Sequence, residues 1–253
     1  MRASLLLLAV AACSGGPSAA PVGADARPSP GQATPGARVL FVGNSLTAGN
    51  DVPGMVAAIA AAAGTPLSVD AVLLPGASLG DHLAEGTVRT RLAGARWDFV
   101  VLQQGPSSRP DSRRQLREDV ARFAPLIRAA GARPALYMVW AIQSEPEWFD
   151  EVRDSYAIAA EDIDGIFLPA GEAWRVAWRI DPSLALYSPD GLHATAAGSY
   201  AAALVIAAGL TGRSPVGAPA PDGIAAGVAA TLQQAAAEVV GGAAGGAAPA
   251  HAP

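Results

Sequence analysis

The chain has 253 residues, of which 51% are hydrophobic, and its formal net charge is −5. This length and hydrophobic content suit one packed core, so we expect a single domain rather than two. The acidic balance argues against nucleic-acid binding, which needs clustered basic residues, and the absence of lysine excludes Schiff-base chemistry.

The first 12 residues predict an export signal. One early arginine precedes the apolar run S-L-L-L-L-A-V-A-A, which is too short to cross a bilayer as a stable helix. Cys13, the single cysteine, follows V-A-A and resembles the lipobox cysteine of bacterial lipoproteins, which is lipidated and becomes the mature N-terminus. We therefore predict a lipoprotein of the bacterial cell envelope that faces outside the cytoplasm and contacts the membrane only through this anchor. The alternative is an ordinary signal peptide cleaved nearby.

Low-complexity segments flank the region that is predicted to fold. Residues 14–36 are rich in Pro, Gly, Ser and Ala without an apolar period, which is typical of a flexible tether after the lipidated cysteine. Residues 241–253 are equally low in complexity, so we expect a disordered tail there. The predicted folded domain therefore spans residues 37–240.

Short apolar runs alternate with helical patterns along this domain. Strands are predicted at residues 38–43, 67–74, 97–103, 135–140 and 165–168. Helices are predicted at residues 51–62, 111–130, 146–161 and 172–180, after the histidine at 193, and at residues 222–239. This order is typical of the α/β class, as a three-layer α/β/α sandwich with a mostly parallel, roughly five-stranded sheet.

Candidate site residues follow the ends of three predicted strands. Ser45, Gly76, Gln103 and Gln104 come just past strand ends, and residues 190–193 lie in a loop before a helix. Active sites of such folds gather at the carboxyl edge of the sheet. We therefore expect these segments to meet at one edge.

Two of these segments carry the residue types of nucleophilic catalysis. A serine hydroxyl becomes an effective nucleophile when a base takes its proton and a carboxylate fixes the tautomer of that base. The sequence G-N-S-L-T contains Ser45, and D-G-L-H contains Asp190 and His193. Either segment alone is also ordinary turn chemistry, but together and in this order they predict a hydrolase.

From about residue 38 to 210, the chain resembles the SGNH (GDSL-type) hydrolase superfamily. The first block of that family, typically G-D-S-L-T, reads G-N-S-L-T here, and the second reads L-P-G-A-S. The last block, D-x-x-H before a helix of small residues, reads D-G-L-H-A-T-A-A-G-S-Y. The resemblance implies the flavodoxin-like fold of SGNH hydrolases.

The resemblance also implies the role of each matching residue. Ser45 would be the nucleophile, His193 the base and Asp190 the carboxylate that orients it. The backbone N–H groups of Ser45 and Gly76 would enter the oxyanion hole. Gly198 matches the glycine of the last helix.

The third block departs from the family pattern. The family offers G-x-N-D, whose asparagine donates to the oxyanion, whereas this chain reads V-V-L-Q-Q-G-P-S-S. A side-chain amide still suits that task, and Q-Q-G-P-S is similar to the Q-G-E-S of the sialate O-acetylesterase-like branch. We therefore assign the role to Gln104, with Gln103 second. Ser107 is the alternative if the blocks are aligned on Gly105.

Other residues with distinctive chemistry are given lesser roles. His82, in G-D-H-L, is predicted to lie in a surface loop, and the three histidines lack the spacing of a metal site. The expected chemistry requires no cofactor. Trp140, at a predicted strand end, is a candidate for lining the pocket, whereas Trp174 and Trp178 lie one helical turn apart and are expected to pack.

Together these features predict a serine esterase that hydrolyses carboxylic esters through an acyl-enzyme. The resemblance suggests short acyl groups, including O-acetyl groups on carbohydrate or cell-envelope glycan. Two alternatives use the same fold: an O-acyltransferase with the same triad, and a non-catalytic binding lipoprotein on the cell surface. The sequence leaves the natural acyl group, its alcohol and the oligomeric state open.

Overall fold

A parallel five-stranded sheet lies at the centre of the structure, a computed structural model that describes residues 33–245. Its strands are β1 (Ala37–Gly43), β2 (Leu67–Leu73), β3 (Phe99–Leu102), β4 (Arg133–Tyr137) and β5 (Ile166–Leu168). They are arranged in the order β2-β1-β3-β4-β5, and every neighbouring pair is parallel. The direction in which strands are added reverses beside β1, and ligands of such sheets bind at the carboxyl ends next to that point.

Helices cover both faces of the sheet. Within residues 33–245 they are α1 (Ser45–Ala48), α2 (Val52–Ala62), α3 (Leu79–Glu85), α4 (Thr87–Gly94), α5 (Pro110–Ala129), α6 (Phe149–Glu161), α7 (Ala170–Ile180), α8 (Ala196–Thr211) and α9 (Ala226–Gly245). Helices α2, α7, α8 and α9 pack together, and α3 to α6 form a second group. These two groups and the sheet make the three layers, so the predicted α/β/α fold is confirmed.

The central strand β3 and the helix α8 form the most deeply buried parts of the core. Every residue of β3 is buried, as the continuous run F-V-V-L predicts for a strand inside a parallel sheet. Helix α8 is apolar around its whole circumference, and it is enclosed by α2, α7, α9 and β5. In the part of the chain described here, no helix combines the length and apolarity needed to span a membrane.

The segment between β2 and β3 differs from the sequence-based expectation. It forms α3 and α4, for which no bounds were predicted. Ser78 begins α3 with a capping box, in which its side chain accepts from the Asp81 N–H while the Asp81 carboxylate accepts from the Ser78 N–H. The expected surface loop at His82 is therefore wrong, because His82 lies in α3 with 0% of its surface exposed. The S-x-x-D spacing was the signal for this helix.

The folded domain extends beyond the predicted limits, residues 37–240, at both ends. Helix α9 continues to Gly245, past the predicted end at residue 240, and it packs on α7 and α8. At the other end, the Ala33 N–H donates to the Leu210 carbonyl at 2.9 Å, within the segment expected as a tether. The predicted signal peptide, its lipidated Cys13 and the last eight residues lie outside the described residues.

Candidate active site

The candidate nucleophile lies at a sharp turn from a strand into a helix. Ser45 is the first residue of α1, two residues after β1 ends at Gly43. Asn44 caps α1, because its side-chain oxygen accepts from the Leu46 N–H at 3.0 Å. The N–H of Ser45 has no acceptor among the described residues, as expected for a first helical turn. Ser45 therefore presents both its hydroxyl and its backbone N–H at the carboxyl edge of β1.

Three side chains from the two predicted segments form one hydrogen-bonded chain. The Ser45 Oγ lies 2.9 Å from Nε2 of His193. The other ring nitrogen of His193, Nδ1, lies 2.6 Å from Oδ2 of Asp190. A carboxylate accepts hydrogen bonds, so Nδ1 carries the ring proton and Nε2 accepts from the serine hydroxyl. This arrangement suits removal of the serine proton by the imidazole.

The carboxylate of Asp190 is fixed by its own loop. Its Oδ1 accepts from the backbone N–H groups of Leu192 at 3.0 Å and His193 at 2.9 Å. The Leu192 N–H, followed by the His193 ring and the His193 N–H, lowers the pKa of Asp190 to about 2. Asp190 is therefore ionised at neutral pH, although it lies at the surface.

A buried tryptophan supports the loop that carries the base. The Trp140 indole donates to the Leu192 carbonyl at 2.8 Å. Its ring stacks on Trp174 with centroids 3.9 Å apart, and the Trp174 indole donates to the Gly198 carbonyl at 3.0 Å. Trp140 is fully buried, so the expectation that it lines the pocket is wrong. It packs beneath the loop instead.

The two glutamines after β3 point to different places. The Gln103 Oε1 accepts from the Asn44 N–H at 3.0 Å and from the Thr47 hydroxyl at 2.7 Å. Its Nε2 donates to the Asn44 side chain at 3.0 Å and also to the Gln104 carbonyl. Both of its amide atoms are thus used behind the nucleophile. This geometry argues against Gln103 as the oxyanion donor, although the sequence made it our second choice.

Gln104, in contrast, lines the cavity beside Ser45. Its Oε1 accepts from the Leu79 N–H at 3.1 Å, and its Nε2 donates to Ser107 Oγ at 3.0 Å. An amide nitrogen has two N–H bonds, so one N–H of Gln104 has no acceptor among the described residues. Ser107 also lines the cavity, with φ of 56°. The Ser107 hydroxyl donates its one proton to the Gly105 carbonyl at 3.1 Å. Gln104 is therefore the better placed of the two, and its role in the oxyanion hole stays a prediction.

The loop after β2 brings a second backbone donor. Gly76 has φ of 69°, a left-handed conformation that favours glycine, and it lines the same cavity as Ser45. Its N–H has no hydrogen-bond acceptor within residues 33–245. The Asn44 side chain donates to the Ala77 carbonyl at 3.1 Å, which ties the Gly76 loop to the nucleophile loop.

The cavity that Ser45 lines has a volume of about 570 Å³ and is open to solvent. Polar side chains outnumber apolar ones among the residues that line it, and they include Ser78, Gln104, Ser108, Arg109, Ser112 and Glu145, although apolar atoms make up the larger part of its exposed surface. Arg109 donates to Glu145 at 2.9 Å, and its guanidinium lies 3.9 Å from the ring centre of Trp148. The charges of the Arg109–Glu145 pair cancel at this wall. Among the described residues, no three His, Cys, Asp or Glu side chains are grouped so that they could hold a metal ion.

Solved structures share this fold. No protein-family model and no curated protein sequence matches the chain. A protein from Slackia heliotrinireducens assigned to the SGNH hydrolases is 28% identical, with a TM-score of 0.59, over 69% of this chain and 99% of that one. A DUF4886 family protein from Bacteroides uniformis is 20% identical, with a TM-score of 0.71, over 81% of this chain and 94% of that one.

An acetyl-xylooligosaccharide esterase from Geobacillus also has this fold. It is 17% identical, with a TM-score of 0.52, over 70% of this chain and 95% of that one. At this identity the likeness concerns the fold alone. The match to the Slackia protein, the parallel sheet and the blocks around Ser45 and His193 agree with one another. The chain therefore belongs to the SGNH hydrolase superfamily.

Proposed function

We propose that this protein is a serine esterase that hydrolyses short-chain carboxylic esters through an acyl-enzyme. The observation that carries the proposal is the unbroken hydrogen-bonded chain from Ser45 through His193 to Asp190. The Ser45 end of this chain lines a cavity that is open to solvent, where an ester and then a water molecule can reach the hydroxyl.

The mechanism follows from the hydrogen bonds. His193 Nε2 takes the Ser45 proton as Oγ attacks the ester carbonyl, and Asp190 stabilises the imidazolium that forms. The backbone N–H groups of Ser45 and Gly76 and the Gln104 amide donate hydrogen bonds to the former carbonyl oxygen, which carries the negative charge. His193 then returns the proton to the leaving alcohol. Water attacks the acyl-enzyme with His193 again as base, which frees the acid and restores the hydroxyl on Ser45.

The cavity wall supports a polar alcohol as the leaving group. Eight of the 17 residues that line the cavity carry a hydroxyl or an amide, and apolar groups lie among them. This mixed wall suits a short acyl group beside a polar alcohol, whereas a long-chain lipid ester would need an extended apolar channel. Carbohydrate hydroxyls pair well with the hydroxyls and amides of this wall. We therefore propose O-acetyl groups on carbohydrate or cell-envelope glycan as the substrate class. The fold shared with an acetyl-xylooligosaccharide esterase supports this choice.

The ion pair between Arg109 and Glu145 at the cavity wall indicates which kind of sugar can bind there. Arg109 supplies N–H donors and Glu145 supplies carboxylate acceptors, and each holds the other in place at 2.9 Å. A sugar that offers several hydroxyls can bond to both. Because the two charges cancel, we propose a neutral sugar at this wall rather than an acidic one.

The proposed location agrees with this substrate. Lipidation of Cys13 would anchor the enzyme outside the cytoplasm, where envelope glycan is found. The open cavity favours water over a second alcohol as the acyl acceptor, so hydrolysis is preferred to acyl transfer. The assembled triad favours turnover over binding alone.

The test compares the full-length protein with two serine variants. Hydrolysis of p-nitrophenyl acetate, p-nitrophenyl octanoate and acetylated xylo-oligosaccharides is measured for wild type, Ser45→Ala and Ser183→Ala. We expect Ser45→Ala to lose about 10⁴-fold or more in kcat, and Ser183→Ala, which changes an exposed loop serine, to keep wild-type rates. Preference for the acetyl esters supports the substrate class. Equal slow rates in wild type and Ser45→Ala on every ester would overturn the esterase proposal.

A further inference from the structure

His82 is buried beneath the nucleophile loop, yet it takes no part in the proton transfers of the proposed mechanism. Its Nε2 lies 2.9 Å from the Gly43 carbonyl. A carbonyl oxygen accepts, so Nε2 carries the proton and Nδ1 holds the lone pair. Nδ1 has no hydrogen-bond partner within the described residues. Burial lowers the pKa of His82, which keeps this ring neutral.

The Gly43 carbonyl lies directly before the nucleophile. Gly43 is the last residue of β1, and only Asn44 separates it from Ser45. The same carbonyl accepts from the Leu74 N–H at 3.0 Å. A side chain at position 43 would collide with Gln103 and Thr47, so the backbone here is tightly enclosed. This carbonyl belongs to the Gly43–Asn44 peptide, and the next peptide along the chain carries the Ser45 N–H.

His82 also lies close in sequence to Gly76, the second proposed backbone donor of the oxyanion hole. His82 is fixed in α3, and α3 begins three residues after Gly76. The capping box formed by Ser78 and Asp81 lies at this junction. The first N–H of α3, from Leu79, donates to Gln104 Oε1. Helix α3 thus connects Gly76 with the side-chain amide of the proposed oxyanion hole.

We propose that His82 is a positioning residue for the oxyanion hole. Its single hydrogen bond to Gly43 fixes the end of β1 against α3, so that the N–H groups of Ser45 and Gly76 converge on one point. It acts through the backbone and does not touch the substrate. This inference rests on the proposed esterase function.

Three acidic residues of α3 and α5 lie near this part of α3, and none of them accepts a hydrogen bond from His82, although Oδ2 of Asp119 has no partner among the described residues. Asp81 accepts from Ser78, and Glu85 accepts from Thr87. Asp119 of α5 lies against Gly80 and accepts from Arg122. None of them bonds to His82 within the described residues. A substitution at His82 therefore removes one polar contact, the bond to Gly43.

Glutamine and leucine separate positioning from packing. The glutamine Nε2 is as many bonds from the backbone as the histidine Nε2, so His82→Gln keeps a donor for Gly43, whereas His82→Leu fills space without one. We measure kcat and KM on p-nitrophenyl acetate, with thermal unfolding, in the full-length protein. We expect His82→Leu to lower kcat about 10-fold or more with KM within about 3-fold. His82→Gln should return kcat to within about 3-fold of wild type.

Two controls make the outcome decisive. Leu92→Ala removes a buried side chain of α4 and reports how far lost stability alone lowers kcat. If His82→Leu does not fold, His82→Asn replaces it, because the shorter amide cannot reach Gly43. Unchanged kcat in His82→Leu, no recovery in His82→Gln, or an equal loss in Leu92→Ala would overturn the positioning role. An inactive wild type would overturn the esterase proposal itself and this inference with it.

Discussion

Gln103 holds Asn44 by two hydrogen bonds: it accepts from the Asn44 backbone N–H at 3.0 Å and donates to the Asn44 side chain at 3.0 Å. Asn44 in turn caps α1 and reaches the Gly76 loop. Adjacent residues at the end of a strand point in opposite directions, so the next residue, Gln104, faces the cavity. The pair of glutamines thus divides between supporting the nucleophile and facing the substrate.

This division predicts different losses of kcat for two isosteric substitutions. Gln104→Glu keeps the acceptor for Leu79 but replaces the N–H donor by a negative charge at the cavity. We expect kcat to fall about 10²–10³-fold, because one oxyanion donor is lost, and the free energy of unfolding to fall as well, because Gln104 is buried and loses its bond to Ser107. The measurement is kcat on p-nitrophenyl acetate beside chemical denaturation.

Gln103→Glu is the matched control. Its carboxylate would face the Asn44 side-chain oxygen without a donor, so we expect the free energy of unfolding to fall by about 1–3 kcal/mol. Its loss of kcat should be smaller than that of Gln104→Glu. The reverse pattern, with a stable Gln103→Glu of very low kcat, would move the oxyanion role to Gln103.

The low pKa of Asp190 predicts how acid affects this loop. Because the pKa is lowered to about 2 in the folded protein, chiefly by the Leu192 N–H, ionised Asp190 stabilises the fold above its unfolded pKa of about 3.9. That contribution is lost as pH falls through about 2. Wild type should therefore be more stable than Asp190→Asn at neutral pH, and the difference should shrink between about pH 4 and about pH 2.

Activity should depend on Asp190 across a different pH range. The ionised carboxylate is needed at every pH at which the enzyme works, so Asp190→Asn should lower kcat about 10²–10⁴-fold at all of them. The pH below which activity is lost should not move to a higher value. Thermal unfolding against pH and a kcat profile check the two parts. A constant stability difference down to about pH 2 would contradict the low pKa.

Trp140 is predicted to matter through its indole N–H. Trp140→Phe keeps a ring to stack on Trp174 but loses the donor to the Leu192 carbonyl. We expect a stability loss of about 1 kcal/mol and a fall in kcat of up to about 10-fold, because the His193 loop is less well held. Trp178→Phe is the control, since its indole donates to Leu184, farther along the chain from the triad. If both variants lose kcat equally, the Trp140 bond has no special role.

The triad could be predicted from the sequence because its three residues lie in two short segments. Ser45 follows a buried strand, and Asp190 and His193 share one turn, so their chemistry is local. The choice between Gln103 and Gln104 could not be made, because it depends on which side chain faces the cavity at the end of β3. Trp140 was misplaced for the same reason: a strand-end position does not reveal that a loop from residue 190 covers it.

Similar reasoning explains the fold. The apolar runs of β1 and β3 are strong signals because a parallel sheet buries both faces of a strand. Helices α3 and α4 are short and carry weak apolar periods, so their bounds were missed. His82 was assigned to a loop because G-D-H-L resembles a turn, although Ser78 and Asp81 already had the spacing of a helix start.

Gly76 allows the backbone part of the oxyanion hole to be tested against a matched glycine. Gly76→Ala meets no atom within 4 Å, so its effect comes from the strain of φ at 69°, about 1–2 kcal/mol. Gly131→Ala is the control, with φ of 77° and equally open space, but between α5 and the amino end of β4. We expect both to lose similar stability in denaturation. Only Gly76→Ala should also lose kcat, about 10-fold or more, because relief of the strain turns its N–H away from the oxyanion. Equal kcat in the two variants would remove Gly76 from the oxyanion hole.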